Sequence, residues 1–216
     1  MAKNSILLIG LGYFGRKVAE KLSAYHQDVM AVDAEEERVN DCLSFVTNGR
    51  IGDTTNPEFV KSLGVRDYDL CIVTIGDDFL SSLQTTSLLK EEGARYVVSR
   101  ASSDMQEKFL LRNGADQVIF PEKTYAEWTA VRYAANHIFD YIPLEDGYAI
   151  MEIEMPPRWV GKTIRSLNVR TEYRLNVIAC KRDGVMRPNF NPDEVLDDRD
   201  QLLVMGRSAD IRKCFR

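Results

Sequence analysis

The chain has 216 residues, of which 44% are apolar and 28% are charged, and its formal net charge is -5. This length and composition predict a folded protein with one large domain, or with one medium and one small domain, and the acidic balance argues against a nucleic-acid binder. No apolar run is long enough to span a bilayer and no signal peptide precedes the first predicted strand, so we expect a cytoplasmic protein.

The first predicted element is an apolar strand, Ser5–Ile9, which runs into a glycine-rich turn. The turn has the pattern G-x-G-x-x-G, with glycines at Gly10, Gly12 and Gly15, and a segment with helical spacing follows it. Such a turn lets the backbone approach phosphates and presents them to a helix N-terminus. The second predicted strand ends in Asp33, about 20 residues downstream, where an acid that binds ribose hydroxyls is expected. The pattern predicts a nucleotide-binding turn.

Strands and helices then alternate through the first 140 residues. Further strands are predicted at 28–32, 45–47, 70–75, 96–98 and 117–120, and helices at 56–63, 79–89 and 104–112. Thr55 or Asn56 is expected to cap the helix at 56–63, with Pro57 in its first turn and Gly64 after its end. The continuous apolar run at 70–75 is typical of a strand buried on both faces. The alternation predicts an α/β fold with a Rossmann-like, doubly wound parallel sheet.

The pattern changes in the last third of the chain. A helix is predicted at 125–141, with an apolar stripe formed by Trp128, Val131, Ala135, Ile138 and Phe139. This stripe either covers its own domain or crosses onto a partner subunit, and we favour the partner. Alternation of apolar and polar residues at 148–155, as in a half-buried strand, and short strands at 175–180, 185–186 and 201–205 indicate a small α+β lobe. A hairpin turn is predicted at Asp183-Gly184. We expect a nucleotide-binding domain at 1–122, a crossover helix and hinge at 123–142, and a C-terminal lobe at 143–216.

The predicted site consists of residues that follow the parallel strands, because ligands of such sheets bind beyond the carboxyl ends of the strands. We expect nucleotide contacts from Gly10, Gly12, Tyr13, Phe14, Gly15, Asp33, Asp53, Thr54, Ile75, Gly76, Asp77 and Arg100. Asp53 and Thr54 would lie beside the base, and Arg100 would reach phosphates. As alternatives, Asp77 or Asp78 caps the next helix and Arg100 forms a surface ion pair. The Asp33 carboxylate disfavours a 2′-phosphate, so NADP is the least expected dinucleotide.

No arrangement of catalytic groups accompanies the predicted nucleotide site. The C-terminal lobe supplies no histidine, and the phosphate-binding motif G-x-x-x-x-G-K-S/T is missing from the sequence. Neither histidine has a ligand set near it. The cysteines Cys42, Cys71, Cys180 and Cys214 lack metal-ligand spacing and are expected to be buried thiols. The sequence therefore predicts a nucleotide sensor and not an enzyme.

A series of short motifs runs through the whole chain in a fixed order. After the glycine turn and Asp33, the series continues with Gly52-Asp53-Thr54, Ile75-Gly76-Asp77-Asp78, Gly114-Ala115-Asp116 and Phe120-Pro121-Glu122. In the C-terminal lobe it comprises the segments 160–164, 167–170, 176–179 and 200–206. The series resembles the cytosolic regulatory subunits of Ktr/Trk potassium uptake systems, which are made of RCK (KTN) domains, each with a TrkA-C lobe.

The resemblance implies a homo-dimer that assembles into an octameric ring under a membrane-embedded potassium pore subunit (KtrB/TrkH-like). It places the protein at the inner face of the cell membrane, where binding of ATP or ADP in the N-lobes biases the gate. An NAD(H)-binding redox sensor or oxidoreductase on the same fold is the alternative. Tyr13 stands where Ktr proteins often carry an arginine that contacts nucleotide phosphates, so the choice between ATP, ADP and NAD(H) stays open.

The resemblance also implies two further binding roles. Glu122 matches a glutamate that lies near the γ-phosphates at the dimer interface and helps to bind a divalent cation, Mg or Ca; a helix cap is the alternative. A second group of residues resembles the signature that binds cyclic di-AMP between two C-terminal lobes: Ile164, Asn168, Arg170, Asn176, Val177 and Pro192. Arg165 stands where that signature has an aliphatic residue. A lobe that only dimerises is the alternative.

Overall fold

The computed structural model describes residues 4–134 and 137–215. The chain divides into two compact units, residues 1–123 and residues 124–216. Among the described residues, no helix has both the length and the apolar character needed to cross a membrane.

The first unit is a six-stranded parallel sheet with helices on both faces. Its strands are β1 (Ser5–Ile9), β2 (Asp28–Asp33), β3 (Asn48–Ile51), β4 (Leu70–Val73), β5 (Val97–Arg100) and β6 (Gln117–Ile119). Its helices are α1 (Tyr13–Ala24), α2 (Glu36–Cys42), α3 (Pro57–Ser62), α4 (Phe79–Glu91) and α5 (Asp104–Arg112), and α6 (Pro121–Ala134) begins in this unit. The strand order is β3-β2-β1-β4-β5-β6, so the order reverses between β1 and β4. The predicted Rossmann-like, doubly wound fold is confirmed.

The alternating side chains of β1 explain why both faces of the sheet are covered. Leu7 and Ile9 are buried in one apolar cluster, whereas Ile6 and Leu8 are buried in another on the opposite face. Each face of this strand therefore contributes to a separate core. A parallel strand with this environment is apolar at every position, as the sequence indicated.

One local prediction for the first unit was wrong, and one helix was not predicted. The third strand lies at Asn48–Ile51 and not at 45–47, because the N–H groups of Phe45 and Val46 bond the Cys42 carbonyl at the end of α2. Pairing with β2 begins only at Asn48, which is opposite Met30. Helix α2 itself was not predicted, since it is short and mostly polar.

The second unit contains a five-stranded antiparallel sheet. Its strands are β7 (Ile138–Pro143), β8 (Tyr148–Glu154), β9 (Asn176–Arg182), β10 (Val185–Arg187) and β11 (Gln201–Arg207), in the order β10-β9-β11-β8-β7. Three short helices accompany it: α7 (Ile164–Leu167), α8 (Val169–Glu172) and α9 (Ser208–Lys213). The core includes the fully buried side chains of Trp159, Met151, Ile153, Leu202 and Ile211. The predicted small C-terminal lobe is confirmed.

The predicted helix at 125–141 is wrong at its end. Residues Ile138–Pro143 form β7, which pairs antiparallel with β8. Trp128 and Val131 pack against the core of the second unit, so this part of the stripe makes core contacts and not the favoured partner contacts. Ala135 lies outside the described residues. A partner interface on the exposed remainder of α6 stays a prediction.

All four cysteines are free and buried, as expected. Burial raises the pKa of the Cys71 thiol to about 12 and that of the Cys214 thiol to about 11. Thiols with such pKa values are protonated near neutral pH and are therefore poor nucleophiles.

Candidate nucleotide-binding site

A cleft of about 670 Å³ opens at the carboxyl ends of the parallel strands, where the strand order reverses. Eleven of the twelve residues predicted to contact a nucleotide line it: Gly10, Gly12, Tyr13, Phe14, Asp33, Asp53, Thr54, Ile75, Gly76, Asp77 and Arg100. Glu122 also lines the cleft, whereas the twelfth residue, Gly15, does not. The structure thus brings these residues together, and their contacts with a ligand stay a prediction.

The glycine turn forms a cradle at the start of α1. Gly10 has a φ of +89°, and a Cβ built on it would lie 2.9 Å from the Ile75 nitrogen. A Cβ on Gly12 would meet nothing within 4 Å, so the backbone is open there. Gly12 precedes α1, and no side chain caps that helix. An uncapped helix N-terminus beside an open backbone fits a phosphate group.

Gly15 packs α1 against the sheet. A Cβ on this residue would lie 1.9 Å from the Gly10 oxygen and 2.5 Å from the Thr74 Oγ1. Because the first of these atoms belongs to the backbone, a side chain would force α1 away from β1. The role of the third glycine in close helix–strand packing is therefore visible in the structure.

We expect the substitution Gly15→Ala to lower the free energy of unfolding by about 1–3 kcal/mol, the range for an overpacked core. Urea unfolding monitored by circular dichroism measures this change. Tryptophan fluorescence is not suitable, because both tryptophans lie in the second unit and do not report on the first. Gly12→Ala is the matched control, since its Cβ meets no atom; it should change stability by less than about 1 kcal/mol. Equal stability of the two variants would contradict the assigned role of Gly15.

Asp33 lies at the end of β2 with only 7% of its surface exposed. Its Oδ2 accepts a hydrogen bond of 2.6 Å from the Leu11 nitrogen, and its Oδ1 accepts one of 2.9 Å from the Glu35 nitrogen. These bonds fix the carboxylate at the wall of the cleft. Each oxygen has about two acceptor positions, so one position on each is left for a ligand hydroxyl.

Arg38 is a cleft residue that sequence reasoning missed. It lies on α2, where its Nη2 is 2.8 Å from Glu35 and its Nη1 is 3.9 Å from the Asp33 Oδ2. The guanidinium therefore lies on the side of the cleft where a ribose and base are expected. An arginine five positions after the acid was the available signal, but α2 had to be recognised first.

Asp53 and Thr54 follow β3 and lie at the same end of the cleft. The Asp53 Oδ1 accepts hydrogen bonds from the Thr55 nitrogen (2.8 Å) and the Thr55 Oγ1 (2.7 Å), which shapes the turn. The Thr54 hydroxyl is buried and shares a 2.8 Å hydrogen bond with Thr85. It therefore points into the domain, which weakens the expectation that it lies beside the base.

Of the two acids after β4, Asp78 is the helix cap. It accepts hydrogen bonds from the Ser81 nitrogen (3.1 Å) and the Ser81 Oγ (2.7 Å), and these bonds lower the pKa of Asp78. Asp77 is exposed and lines the cleft. The capping alternative is therefore confirmed for Asp78, and Asp77 remains available to a ligand.

Arg100 and Glu122 form an ion pair at the opposite end of the cleft from Asp33. The Arg100 side chain is 19% exposed and that of Glu122 is 55% exposed, so the ion pair that the alternative described is present, at the rim of the cleft. The pKa of Glu122 is lowered by a hydrogen bond from its own backbone and also by Arg100. The Glu122 carboxylate is therefore ionised near neutral pH.

The cleft is strongly acidic. It is lined by six carboxylates and two guanidinium groups: Asp33, Glu35, Asp53, Asp77, Asp78 and Glu122, with Arg38 and Arg100. Within the described part of the chain, no three histidine, cysteine or acidic side chains are grouped so that they could hold a metal ion. A cation role for Glu122 would need ligands from another molecule and stays a prediction.

The residues predicted for cyclic di-AMP lie at the surface of the C-terminal lobe. Asn168, with a φ of +46°, joins α7 to α8. The Arg170 Nε donates a 3.0 Å hydrogen bond to the Asn176 Oδ1, and both side chains are exposed. Ile164 and Val177 are half-buried and pack against the lobe core.

Pro192 lies beside the start of α7. Its carbonyl accepts a 3.1 Å hydrogen bond from the Arg165 nitrogen, and Arg165 pairs with Asp193 at 2.6 Å. Arg165, which stands where the cyclic di-AMP signature has an aliphatic residue, therefore forms an ion pair within its own lobe.

Comparison with known proteins gives matches over nearly the whole chain. The TrkA-N domain family matches residues 6–121, and the TrkA-C domain family matches residues 148–216. The chain is 34% identical to Ktr system potassium uptake protein C of Bacillus subtilis, over 98% of this chain and 96% of that protein. It is also 34% identical to Ktr system potassium uptake protein A of the same organism, over 95% of this chain and 93% of that protein.

Solved structures support the fold. The GsuK channel superposes with a TM-score of 0.71 and 16% identity, over 98% of this chain and 38% of the GsuK chain, so this chain spans less than half of that protein. The TrkA-N domain of the inner membrane protein ybaL from Escherichia coli superposes with a TM-score of 0.55 and 21% identity, over 62% of this chain and 98% of that domain. With its two domain matches and its full-length relatives, the chain belongs to the family of Ktr potassium uptake proteins that combine a TrkA-N domain with a TrkA-C domain.

Proposed function

We propose that the chain is a cytoplasmic regulatory subunit that gates a potassium channel or transporter and senses adenine nucleotides in its N-terminal domain. The observation that carries this proposal is the Asp33 carboxylate, fixed at the wall of an open cleft that also contains the uncapped N-terminus of α1. A carboxylate in this position accepts ribose hydroxyls, and the helix terminus takes a phosphate. Membership of the Ktr family supplies the link to potassium uptake.

In this function the nucleotide is bound without chemical turnover. A bound nucleotide shifts a gate only if it makes different contacts in the two gating states. ATP and ADP differ in charge and length, so the pair is suited to that task.

The proposed assembly is a homo-dimer that builds an octameric ring beneath a membrane-embedded pore subunit, at the inner face of the membrane. None of the described residues of α6 is buried, and Tyr125 and Tyr133 are 69% and 72% exposed. Exposed aromatic side chains are common at protein interfaces. They support α6 as a surface that contacts a second copy of the chain.

A divalent cation, Mg or Ca, is part of the proposed function when ATP is bound. Six carboxylates and two guanidinium groups line the cleft, so a triphosphate enters a site with an excess of negative charge. A hard cation bound by phosphate and carboxylate oxygens relieves this repulsion. Glu122 is the residue of this chain that we assign to it, together with groups from a neighbouring molecule.

Cyclic di-AMP is the proposed ligand of the C-terminal lobe. The support is the exposed pair of Arg170 and Asn176 at the surface that the resemblance assigns to this ligand. A guanidinium offers a planar pair of donors to a phosphate, and the amide offers polar contacts beside it. Two such lobes would enclose one ligand, whereas a lobe that only dimerises would bind none.

Isothermal titration calorimetry of the full chain with ATP, ADP, NADH and cyclic di-AMP tests these assignments. We expect one adenine nucleotide per chain, one cyclic dinucleotide per two chains, and tighter ATP binding when magnesium is present. Binding of NADH without binding of ATP or ADP would establish the redox-sensor alternative. A monomer in sizing chromatography, with and without nucleotide, would overturn the ring assembly.

A further inference from the structure

The C-terminal lobe carries a group of basic side chains around α9, which we call the basic surface. Five exposed residues form it: Arg158, Arg174, Arg207, Arg212 and Lys213. It contrasts with the chain as a whole, whose formal net charge is -5. None of the five lines the nucleotide cleft, so the proposed nucleotide site does not account for them.

Three of these cations surround one carboxylate. A Cβ built on Gly206 would lie 3.2 Å from the Arg174 carbonyl oxygen, so Arg174 lies against the residue that precedes Arg207. The pKa of Asp210 is lowered first by a hydrogen bond of 2.7 Å from Lys213. The charges of Arg174 and Arg207 lower this pKa further, so both guanidinium groups lie near the same acid.

The other two cations lie near the end of α9. The Arg212 Nε donates a 3.3 Å hydrogen bond to the Ser208 carbonyl, one turn earlier in the helix. Burial is the main cause of the raised pKa of Cys214, and the positive charge of Arg158 opposes it. Arg158 therefore lies close to the residue that follows α9.

Acidic side chains offset only part of this charge. Asp210 and Asp146 are the carboxylates that act on Arg207. Arg158, Arg174 and Arg212 form no ion pair with the residues that the structure describes. The basic surface therefore keeps an excess of positive charge that is open to another molecule.

The backbone at Arg174 points to a role outside the fold. Its φ is +57°, a left-handed conformation that glycine and asparagine adopt more readily than arginine. Neither this backbone nor a carboxylate partner within the lobe explains an arginine here. Residues held in such conformations are concentrated at functional sites. We therefore look for a ligand that an exposed guanidinium recognises.

Phosphate groups of anionic lipids fit this surface. A guanidinium presents two parallel N–H donors to one phosphate, and each basic side chain close to an anionic membrane surface adds to binding. A nucleic acid carries the same phosphate chemistry. The family acts in potassium uptake, which takes place at a membrane, so the membrane is the anionic surface that the chain is expected to meet.

We propose that the basic surface binds phosphate groups of anionic lipids in the inner leaflet and holds the C-terminal lobe against the membrane. This inference rests on the proposed function for the location of the chain at that leaflet, and it does not require a bound nucleotide. The attraction is electrostatic, so it weakens as salt shortens the range of the charges.

Co-sedimentation of the full chain with vesicles tests the proposal. Vesicles of phosphatidylglycerol and phosphatidylcholine in equal parts should bind the chain in about 0.1 M potassium chloride, and vesicles of phosphatidylcholine alone should not. Binding should be lost in about 1 M potassium chloride, where the Debye length falls from about 10 Å to about 3 Å. Combining Arg158→Gln, Arg174→Gln and Arg212→Gln should lower the partition coefficient about 100-fold, or about fivefold for each charge.

The matched control combines Lys61→Gln, Lys108→Gln and Arg112→Gln, which remove the same charge from exposed positions of the first unit. Its partition coefficient should equal that of the wild type. Equal losses in the two triple variants, or equal binding to both kinds of vesicle, would overturn the inference. Binding to duplex DNA without binding to vesicles would also overturn it, and would assign the basic surface to a nucleic acid.

Arg174→Asn separates lipid binding from a structural role. Asparagine tolerates the left-handed backbone, so this variant should keep the free energy of unfolding of the wild type while its partition coefficient falls about fivefold. A loss of stability with unchanged vesicle binding would give Arg174 a purely structural role. A wild type that binds anionic vesicles but no adenine nucleotide would overturn the nucleotide-sensing function and leave this inference standing.

Discussion

Replacing Asp33 by alanine is expected to raise the Kd for ADP and ATP at least about 100-fold. The carboxylate is fixed by the Leu11 and Glu35 nitrogens and has one acceptor position left on each oxygen. Each hydrogen bond from a ribose hydroxyl to a charged group contributes about 1.5–3 kcal/mol. Loss of two such bonds gives the expected factor, because 1.4 kcal/mol corresponds to tenfold in Kd. Calorimetric titration with ADP measures it directly.

Asp53→Ala is the control for a general loss of negative charge in the cleft. Asp53 also lines the cleft, but its Oδ1 is committed to Thr55 within its own turn. We expect its removal to weaken ADP binding less than tenfold. Asp33→Asn keeps the size of the side chain and removes the charge. Its effect on the Kd for ADP should lie between those of Asp33→Ala and Asp53→Ala. Equal losses for Asp33→Ala and Asp53→Ala would show that Asp33 does not read the ribose.

Cyclic di-AMP provides a second control within the same molecule. Its proposed site lies on the C-terminal lobe, which forms a separate compact unit. Asp33→Ala should therefore leave cyclic di-AMP binding unchanged while ADP binding is lost. Parallel loss of both ligands would indicate that the substitution disturbs the whole chain and not the nucleotide cleft alone.

The parallel sheet could be predicted from sequence because its evidence is local. Each central strand is a short apolar run, and each is followed by a polar or glycine-rich turn that ends it. The glycine turn and Asp33 belong to this local pattern, so the part of the cleft that they line was predictable as well. Strand β1 is apolar at successive positions because both faces of the sheet are buried there, with Leu7 and Leu8 in different apolar clusters.

Strand β7 could not be predicted because its apolar spacing imitates a helix. Ile138 and Tyr141 are three residues apart and both are buried. A shift in register between Ile138 and Asp140 inserts an extra residue, which turns both side chains to the same face of the strand. Without the partner strand, spacing by three indicates a helix. Only the pairing with β8 distinguishes the two structures.

The part of the cleft around Arg100 is formed by contacts between residues that are distant in sequence. The Arg100–Glu122 pair joins the ends of two different elements, and the packing of Arg100 on Gly76 depends on the alignment of β4 with β5. Arg38 reaches the cleft only through α2, a helix with few apolar residues. Sequence reasoning placed Arg100 in the site, but its position and partners follow from tertiary packing alone.

A buried ion pair in the C-terminal lobe was also not predicted, although its acid belongs to a recognised motif. The Asp200 side chain is fully buried, and the residue immediately precedes β11, whereas its partner Arg182 is the last residue of the neighbouring strand β9. Its Oδ1 is 2.6 Å from the Arg182 Nε, and its Oδ2 accepts a 2.9 Å hydrogen bond from the Asp197 nitrogen. Arg182 also contacts Glu194 at 2.7 Å. The pair therefore joins the sheet to the loop that precedes β11.

Replacing Asp200 by alanine is expected to lower the free energy of unfolding of the second unit by about 3 kcal/mol, the low end of the range for breaking a buried ion pair. The low end applies because Arg182 is 31% exposed and keeps Glu194. Urea unfolding followed by tryptophan fluorescence measures this, since Trp159 is buried in that core and Trp128 packs against it.

Asp193→Ala is the matched control, because Asp193 binds Arg165 with the same two-point geometry but is 54% exposed. Removing it should change stability far less than Asp200→Ala does, because an ion pair between exposed side chains contributes little. The dependence of stability on pH provides a second test of the Asp200 ion pair. The pKa of Asp200 is lowered in the folded protein, chiefly by hydrogen bonds from Arg182. The ionised side chain therefore stabilises the fold fully above the pKa of an unfolded aspartate, about 3.9. This stabilisation is lost as the pH falls through the pKa of Asp200 in the folded protein. The wild type should therefore lose stability more steeply below about pH 4 than Asp200→Ala, whereas equal slopes would assign the acid sensitivity to other carboxylates.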